Sequence, residues 1–199
     1  YTLVYTLSLH DALPISSWFS RNLLSYLHFD SLIFIRKAMP ERNLILVICT
    51  ANVCRSPMAE KLLQHALAAE ADPLNQLEVL SAGVAAGYGD PASENSVAAL
   101  KKVKLDLSRH KSQPITDELI DSAFAIFGMT DSHLDVLRHY YKNLPERVHL
   151  LRGFIGGSES DQIPDPIGQD FDAYCACRDA MIEAIPSVVT YLKKEYSKD

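Results

Sequence analysis

Cys49 and Arg55 bracket a short loop in the run Cys49-Thr50-Ala51-Asn52-Val53-Cys54-Arg55-Ser56-Pro57. The ionised thiolate is the reactive form of cysteine, and an adjacent Arg or a helix N-terminus favours it. Arg55 adds a planar fork of donors that can grip two phosphate oxygens together, which the point charge of a Lys does not reproduce. Between them Thr50, Ala51, Asn52, Val53 and Cys54 offer backbone N–H groups to an anion. The chemistry this set supports is attack by sulfur on a bound phosphoryl group.

The flanking segments fit that use. Leu44 to Ile48 are uninterrupted apolar residues, as in a parallel strand covered on both faces. After the loop, Met58, Ala59, Leu62, Leu63, Ala66 and Leu67 recur at helical spacing, with Ser56 expected as N-cap and Pro57 as the first helical residue. A loop between a strand C-terminus and a helix N-terminus holds N–H groups without partners, and the helix dipole adds to their field. Two blander readings compete. A Cys ending a core strand is often only a small hydrophobe, and a Cys-x4-Cys spacing could be half of a metal site. No second Cys or His pair stands at ligand spacing elsewhere, so no metal is expected.

The signature from Cys49 to Pro57 resembles that of the low-molecular-weight protein tyrosine phosphatase family, which includes the related bacterial protein-arginine phosphatases. The resemblance extends from about Leu44 to Lys194. Ala51 departs from it, standing where the family usually has Gly. Asn52, which tolerates a left-handed backbone, matches the family's loop-bracing Asn. Leu80-Ser81-Ala82-Gly83 resembles the segment whose Ser bonds the loop, and Ser108-Arg109-His110 the step whose His joins it. The resemblance thus implies loop support from Ser56, Ser81 and His110.

Expelling a poor leaving group from phosphorus needs a proton at the departing atom, and a positioned acid contributes roughly 10²–10⁴-fold. Asp165-Pro166, 116 residues after Cys49, falls where the family places its general acid. An Asp-Pro pair is by itself a turn initiator, and Pro164 strengthens that reading. Turn and acid are compatible. The implied enzyme is a protein phosphatase working through a phosphocysteine, with Cys49, Arg55 and Asp165 as catalytic residues and no cofactor.

Substrate preference turns on a few positions. Tyrosine-specific members follow the acid with aromatic residues, whereas here Ile167-Gly168 follow Asp165-Pro166. The arginine phosphatases share that Gly but carry a loop Thr where this chain has Val53. Tyr88 aligns with an aromatic on the other side of the tyrosine-specific pocket. Tyr88 and Ile167 are therefore expected pocket residues and phosphotyrosine the expected substrate, with phosphoarginine the alternative. Arsenate reduction is more remote, because Cys175 and Cys177 have the wrong spacing and location for a redox relay. A dinucleotide site is disfavoured, since no G-x-G-x-x-G follows the first strand.

Other polar residues read as scaffold or surface. His65 falls on the exposed side of its helix pattern, and Asp131, His133, Asp135 and His139 on a solvated helical face. Cys175 and Cys177 should point to different faces as structural residues. The net charge of −6 argues against nucleic acid. No apolar run approaches the roughly eighteen residues of a membrane span. Four cysteines, two of them in the reactive loop, fit a reducing cytoplasm. The partner implied is a phosphorylated protein; oligomeric state is not legible.

Strands are expected at Leu44–Ile48, Leu77–Leu80, Phe124–Phe127 and Val148–Leu151, alternating with helices at Met58–Ala69, Ser93–Lys102, Asp117–Ser122 and Ser132–Lys142. Phe171 to Leu192 reads as a last amphipathic helix, kinked or broken near Pro186. Such alternation implies a flavodoxin-like three-layer α/β sandwich with a four-stranded parallel sheet and the site at the end of the first strand. Residues 39–199 form the expected domain, with Met39 a natural start. Residues 1–38 are expected to be a non-native or disordered extension, because Tyr5 to Ser16 resembles a translated sequencing-adapter oligonucleotide. Leu23, Leu24, Leu27, Leu32, Ile33 and Ile35 could otherwise form an amphipathic patch, but Asp30 and the missing basic segment speak against a secretory signal.

Overall fold

β1 (Leu44–Cys49) lies inside a sheet whose strands all run parallel. Its neighbours are β2 (Glu78–Gly83) and β3 (Ala123–Gly128), and β4 (Val148–Leu150) completes the order β2-β1-β3-β4. The structure, a computed structural model, describes residues 42–156 and 160–196. The helices are α1 (Arg55–Ala68), α2 (Glu94–Lys102), α3 (Asp117–Ser122), α4 (Asp131–Tyr140) and α5 (Phe171–Tyr196). The chain pairs β2 on one side of β1 and β3 on the other, so the crevice beyond the carboxyl end of β1 is a topological switch point.

Every residue of β1 is buried, because the strand is covered on both faces. Ile45, Val47 and Cys49 pack with Met58 and Leu63 of α1, Leu100 of α2 and Met181 and Val188 of α5. Leu46 and Ile48 pack with Ile120 of α3 and Leu134 and Leu137 of α4. The result is the expected three-layer sandwich. Burying each such aliphatic side chain stabilises by about 1.5–3 kcal/mol, so the loop after β1 hangs from a stiff mount.

Two local expectations are corrected. α1 starts at Arg55, with Cys54 and not Ser56 as N-cap, and no side chain caps it. The Ser56 hydroxyl is engaged elsewhere, beside Cys49 Sγ and the carbonyl of Ala82. Pro57 is then the third helical residue, still in the first turn, where a missing N–H leaves no helical bond unmade. α5 runs unbroken through Pro186. Buried Ile185, Val188 and Val189 hold this stretch against the core, and Thr190 Oγ1 donates to the Pro186 carbonyl at 2.8 Å.

The expectation for residues 1–38 lies outside the described residues. Among the described residues, no helix is long and apolar enough to cross a membrane.

Candidate active site

The loop from Thr50 to Cys54 is shaped by where its carbonyls go. Thr50 O accepts from Ala85 N at 2.9 Å, Val53 O from Ser93 N at 2.8 Å, and Asn52 O from His110 Nε2 at 2.7 Å. With these carbonyls turned outward, the amides of residues 51–54 donate to no protein acceptor among the described residues. They form the donor ring that an anion at a helix N-terminus requires.

Asn52 is the brace. It takes the left-handed conformation at φ 56°, and it is fully buried. Its Nδ2 donates to Ser56 Oγ at 2.9 Å and to Ser81 Oγ at 2.8 Å, while its Oδ1 accepts from Gln113 N at 2.9 Å. Ser81 Oγ in turn donates to Glu60 Oε2 at 2.6 Å. Ser56, Ser81 and His110 therefore meet the loop as the resemblance implied. Ala51 stays out of the left-handed region, which removes the strain its substitution for Gly could have caused. The close approach falls instead on Gly83, where a Cβ would stand 2.5 Å from Thr50 O.

Cys49 Sγ lies 3.0 Å from Ser56 Oγ, a hydroxyl able to donate to an ionised sulfur. Arg55 is buried, and its Nη2 donates both to Thr50 Oγ1 at 3.3 Å and to Asp165 Oδ2 in an ion pair. The other Asp165 oxygen, Oδ1, accepts from Ile167 N at 3.2 Å, and the Asp165 carbonyl accepts from Gln169 Nε2 at 2.7 Å. The Asp-Pro segment is thus a turn and also delivers a carboxylate. Cys49, Thr50, Ala51, Val53, Cys54, Arg55, Asp165 and Ile167 line one cavity of about 170 Å³. Ile167 is 61% exposed at its rim. Tyr88, 74% exposed, does not line this cavity, so the structure leaves it apart from the other expected site residues.

His133 corrects the sequence reading. It is buried rather than solvated, whereas Asp131, Asp135 and His139 are exposed as expected. Its Nε2 lies 2.9 Å from Thr50 Oγ1. Burial, followed by the Arg55 charge, pushes its pKa down to about 4, with Asp165 acting weakly the other way. The signal was present: His133 and Leu137 are one helical turn apart, and Leu137 is core. Tyr174 was also missed; its hydroxyl is 3.7 Å from Cys54 Sγ, and burial with that contact raises its pKa. Cys54 Sγ also donates to Ser93 Oγ at 3.3 Å. Cys175 is half-buried and Cys177 buried, where desolvation pushes the Cys177 thiol up to about 12. Cys177 therefore lacks the setting of a reactive thiol.

A statistical description of the family "Low molecular weight phosphotyrosine protein phosphatase" matches residues 44–198. The protein-arginine-phosphatase of Bacillus subtilis (strain 168) is 36% identical over 151 residues, which is 76% of this chain and 97% of the relative. The probable low molecular weight protein-tyrosine-phosphatase EpsP of Ralstonia solanacearum is 39% identical over 130 residues, or 65% of this chain and 82% of that one. Among solved structures, a mutant YwlE arginine phosphatase with a phosphorylated active site serine superposes with a TM-score of 0.69 at 31% identity, covering 78% of this chain and 99% of its own.

Proposed function

We propose that this chain, which belongs to the low molecular weight phosphotyrosine protein phosphatase family, hydrolyses phosphotyrosine on proteins through a phosphocysteine. The observation that carries the reading is the convergence of Cys49, Arg55 and Asp165 on one small cavity. Cys49 thiolate attacks phosphorus in line, Arg55 and the loop amides hold the equatorial oxygens, and Asp165 protonates the leaving oxygen as its bond to phosphorus breaks. Water then displaces the sulfur, giving its proton to Asp165.

The preference for an aryl ester rests on the walls above the anion site. Ala51, Val53 and Ile167 are apolar and suit the edge and face of a ring. A guanidinium would instead need several acceptors, and among the described residues lining this cavity Asp165 supplies the one carboxylate. The similarity to the Bacillus subtilis protein-arginine-phosphatase over nearly its whole length favours a second reading, phosphoarginine. Comparing kcat/KM on matched phosphotyrosyl and phosphoarginyl peptides separates the two; a ratio favouring phosphoarginine overturns the preference.

The net charge of −6 speaks against a nucleic-acid partner. A nucleophile that acts only as a free thiol supports a reducing, cytoplasmic setting.

A further inference from the structure

The Thr50 hydroxyl has two lone pairs and one proton. Both lone pairs have donors within the protein. Arg55 Nη2 donates to Oγ1 at 3.3 Å, and His133 Nε2 lies 2.9 Å away. The direction of the second bond follows from the far side of the imidazole. Two Thr130 groups face His133 Nδ1: the backbone N–H, which can only donate, at 3.1 Å, and the hydroxyl, which can donate as well as accept, at 2.7 Å; the N–H makes Nδ1 the accepting, bare nitrogen. In a neutral ring Nε2 then carries the proton and donates it to Thr50. Burial keeps the ring neutral down to about pH 4. The Thr50 proton is left over: among the described residues no acceptor takes it, and exposed Thr50 borders the cavity.

That proton sits beside the acid. Arg55 Nη2 donates to Thr50 Oγ1 and to Asp165 Oδ2, so hydroxyl and carboxylate flank one nitrogen on the same side of the cavity. Among the described residues lining the cavity, Thr50 supplies the one hydroxyl side chain; Val53, the other β-branched residue of the loop, has none. In a two-step in-line route, the leaving atom and later the attacking water take the same position, opposite Cys49 Sγ and next to Asp165.

We propose that Thr50 is a catalytic residue of the second step, donating its hydroxyl proton in a hydrogen bond to the attacking water, and that His133 is the residue positioning it. The assignment rests on the phosphocysteine reading above. The water donates one hydrogen to Asp165, accepts from Thr50 on one lone pair, and uses the other to form the bond to phosphorus. The phosphorus–sulfur bond breaks, its electron pair returning to Cys49 as thiolate. The transferred proton stays on Asp165, restoring the acid for the next turnover, and Thr50 keeps its own proton throughout. Two fixed contacts turn a diffusing water into an oriented nucleophile.

The test is rapid mixing with p-nitrophenyl phosphate, following nitrophenol release and acid-quenched phosphoenzyme by mass spectrometry. Thr50→Val should leave the first-turnover burst within about twofold and slow steady-state turnover by about tenfold or more, so that phosphocysteine accumulates. Thr50→Ser should restore the wild-type balance. His133→Leu should reproduce the accumulation, His133→Gln, whose amide can donate from the same place, should largely reverse it, and Thr50→Val/His133→Leu should be no slower than Thr50→Val alone. Equal slowing of burst and steady state, or unchanged phosphocysteine in Thr50→Val, overturns the proposal. Failure to trap phosphocysteine on either wild type or Thr50→Val would instead overturn the covalent reading beneath it.

Discussion

Arg55 Nη2 donates to Asp165 Oδ2, tying the cation of the loop to a carboxylate 110 residues later in the chain. The pair neutralises two charges in the free protein, and Arg55 is nearly buried while Asp165 is not. A phosphoryl dianion entering the loop competes for the same guanidinium donors. Binding and readiness of the acid are therefore coupled, since the anion that captures Arg55 also releases Asp165 beside the leaving atom.

Asp165→Asn tests that coupling. Turnover of a phosphoryl ester with a poor leaving group should fall by roughly 10²–10⁴-fold, and that of an activated aryl phosphate far less. Inhibition by inorganic phosphate should be unchanged or tighter, because Arg55 loses a competitor. Equal losses on both substrates would reduce Asp165 to its turn.

Cys49→Ser should abolish turnover yet keep phosphate affinity within about threefold, because the loop amides and Arg55 hold the anion while the sulfur performs the attack. Isothermal titration with phosphate, alongside a turnover assay, checks both halves. Activity near the wild-type level removes Cys49 from the mechanism.

β1 and β3 were legible because burial on both faces leaves an unbroken apolar run, and each of the four expected strands falls within a few residues of an observed one. The order Cys, loop, Arg was legible for a similar reason, since one strand–loop–helix unit carries it. What the sequence hid depends on tertiary partners. Ser56 reads as a cap, but Cys49, Asn52 and Ala82 surround its hydroxyl and no local pattern reveals them. His133 sits in a polar run, and only the fold sets it over Thr50. Tyr88, expected at the pocket only from the resemblance, is 74% exposed and does not line the cavity.

Asn52→Ala removes three side-chain bonds, two of them buried, and leaves at φ 56° a residue without the side chain that lets Asn tolerate the left-handed region. Stranding their partners and forcing a left-handed Ala should together destabilise by about 2–4 kcal/mol. In a chain of this size that lowers Tm by roughly 5–15 °C, and loop disorder should cut kcat/KM. Asn52→Gly relieves only the backbone share. If Gly recovers full stability and activity, the side-chain bonds are idle.

Cys49 and Cys54 are free, buried thiols at the two ends of one small loop. A peroxide-oxidised Cys49 sulfur is poised to be captured by the Cys54 thiol as a disulfide, which an added thiol can reverse. Peroxide-treated wild type should recover activity with dithiothreitol, and Cys54→Ser should recover far less as oxidation runs on irreversibly. Equal recovery removes Cys54 as the protecting partner.

His133 should give the protein an acid-sensitive stability. Its native pKa, about 4, lies below the ordinary 6.5, because burial penalises the imidazolium and Arg55 repels it. As pH falls below 6.5 the unfolded chain binds a proton that the native ring refuses, so the unfolded state is favoured progressively until the native ring also titrates near 4. The stabilisation from neutral His133 is thus complete above about pH 6.5 and lost between there and about pH 4. At about 1.4 kcal/mol per pKa unit, wild type should lose about 2 kcal/mol more than His133→Gln between pH 7 and 4.5, because glutamine has no proton to take up. Urea unfolding of both proteins at the two pH values measures the difference directly. Parallel losses would mean that His133 titrates normally in the folded protein and that its contact with Thr50 survives protonation.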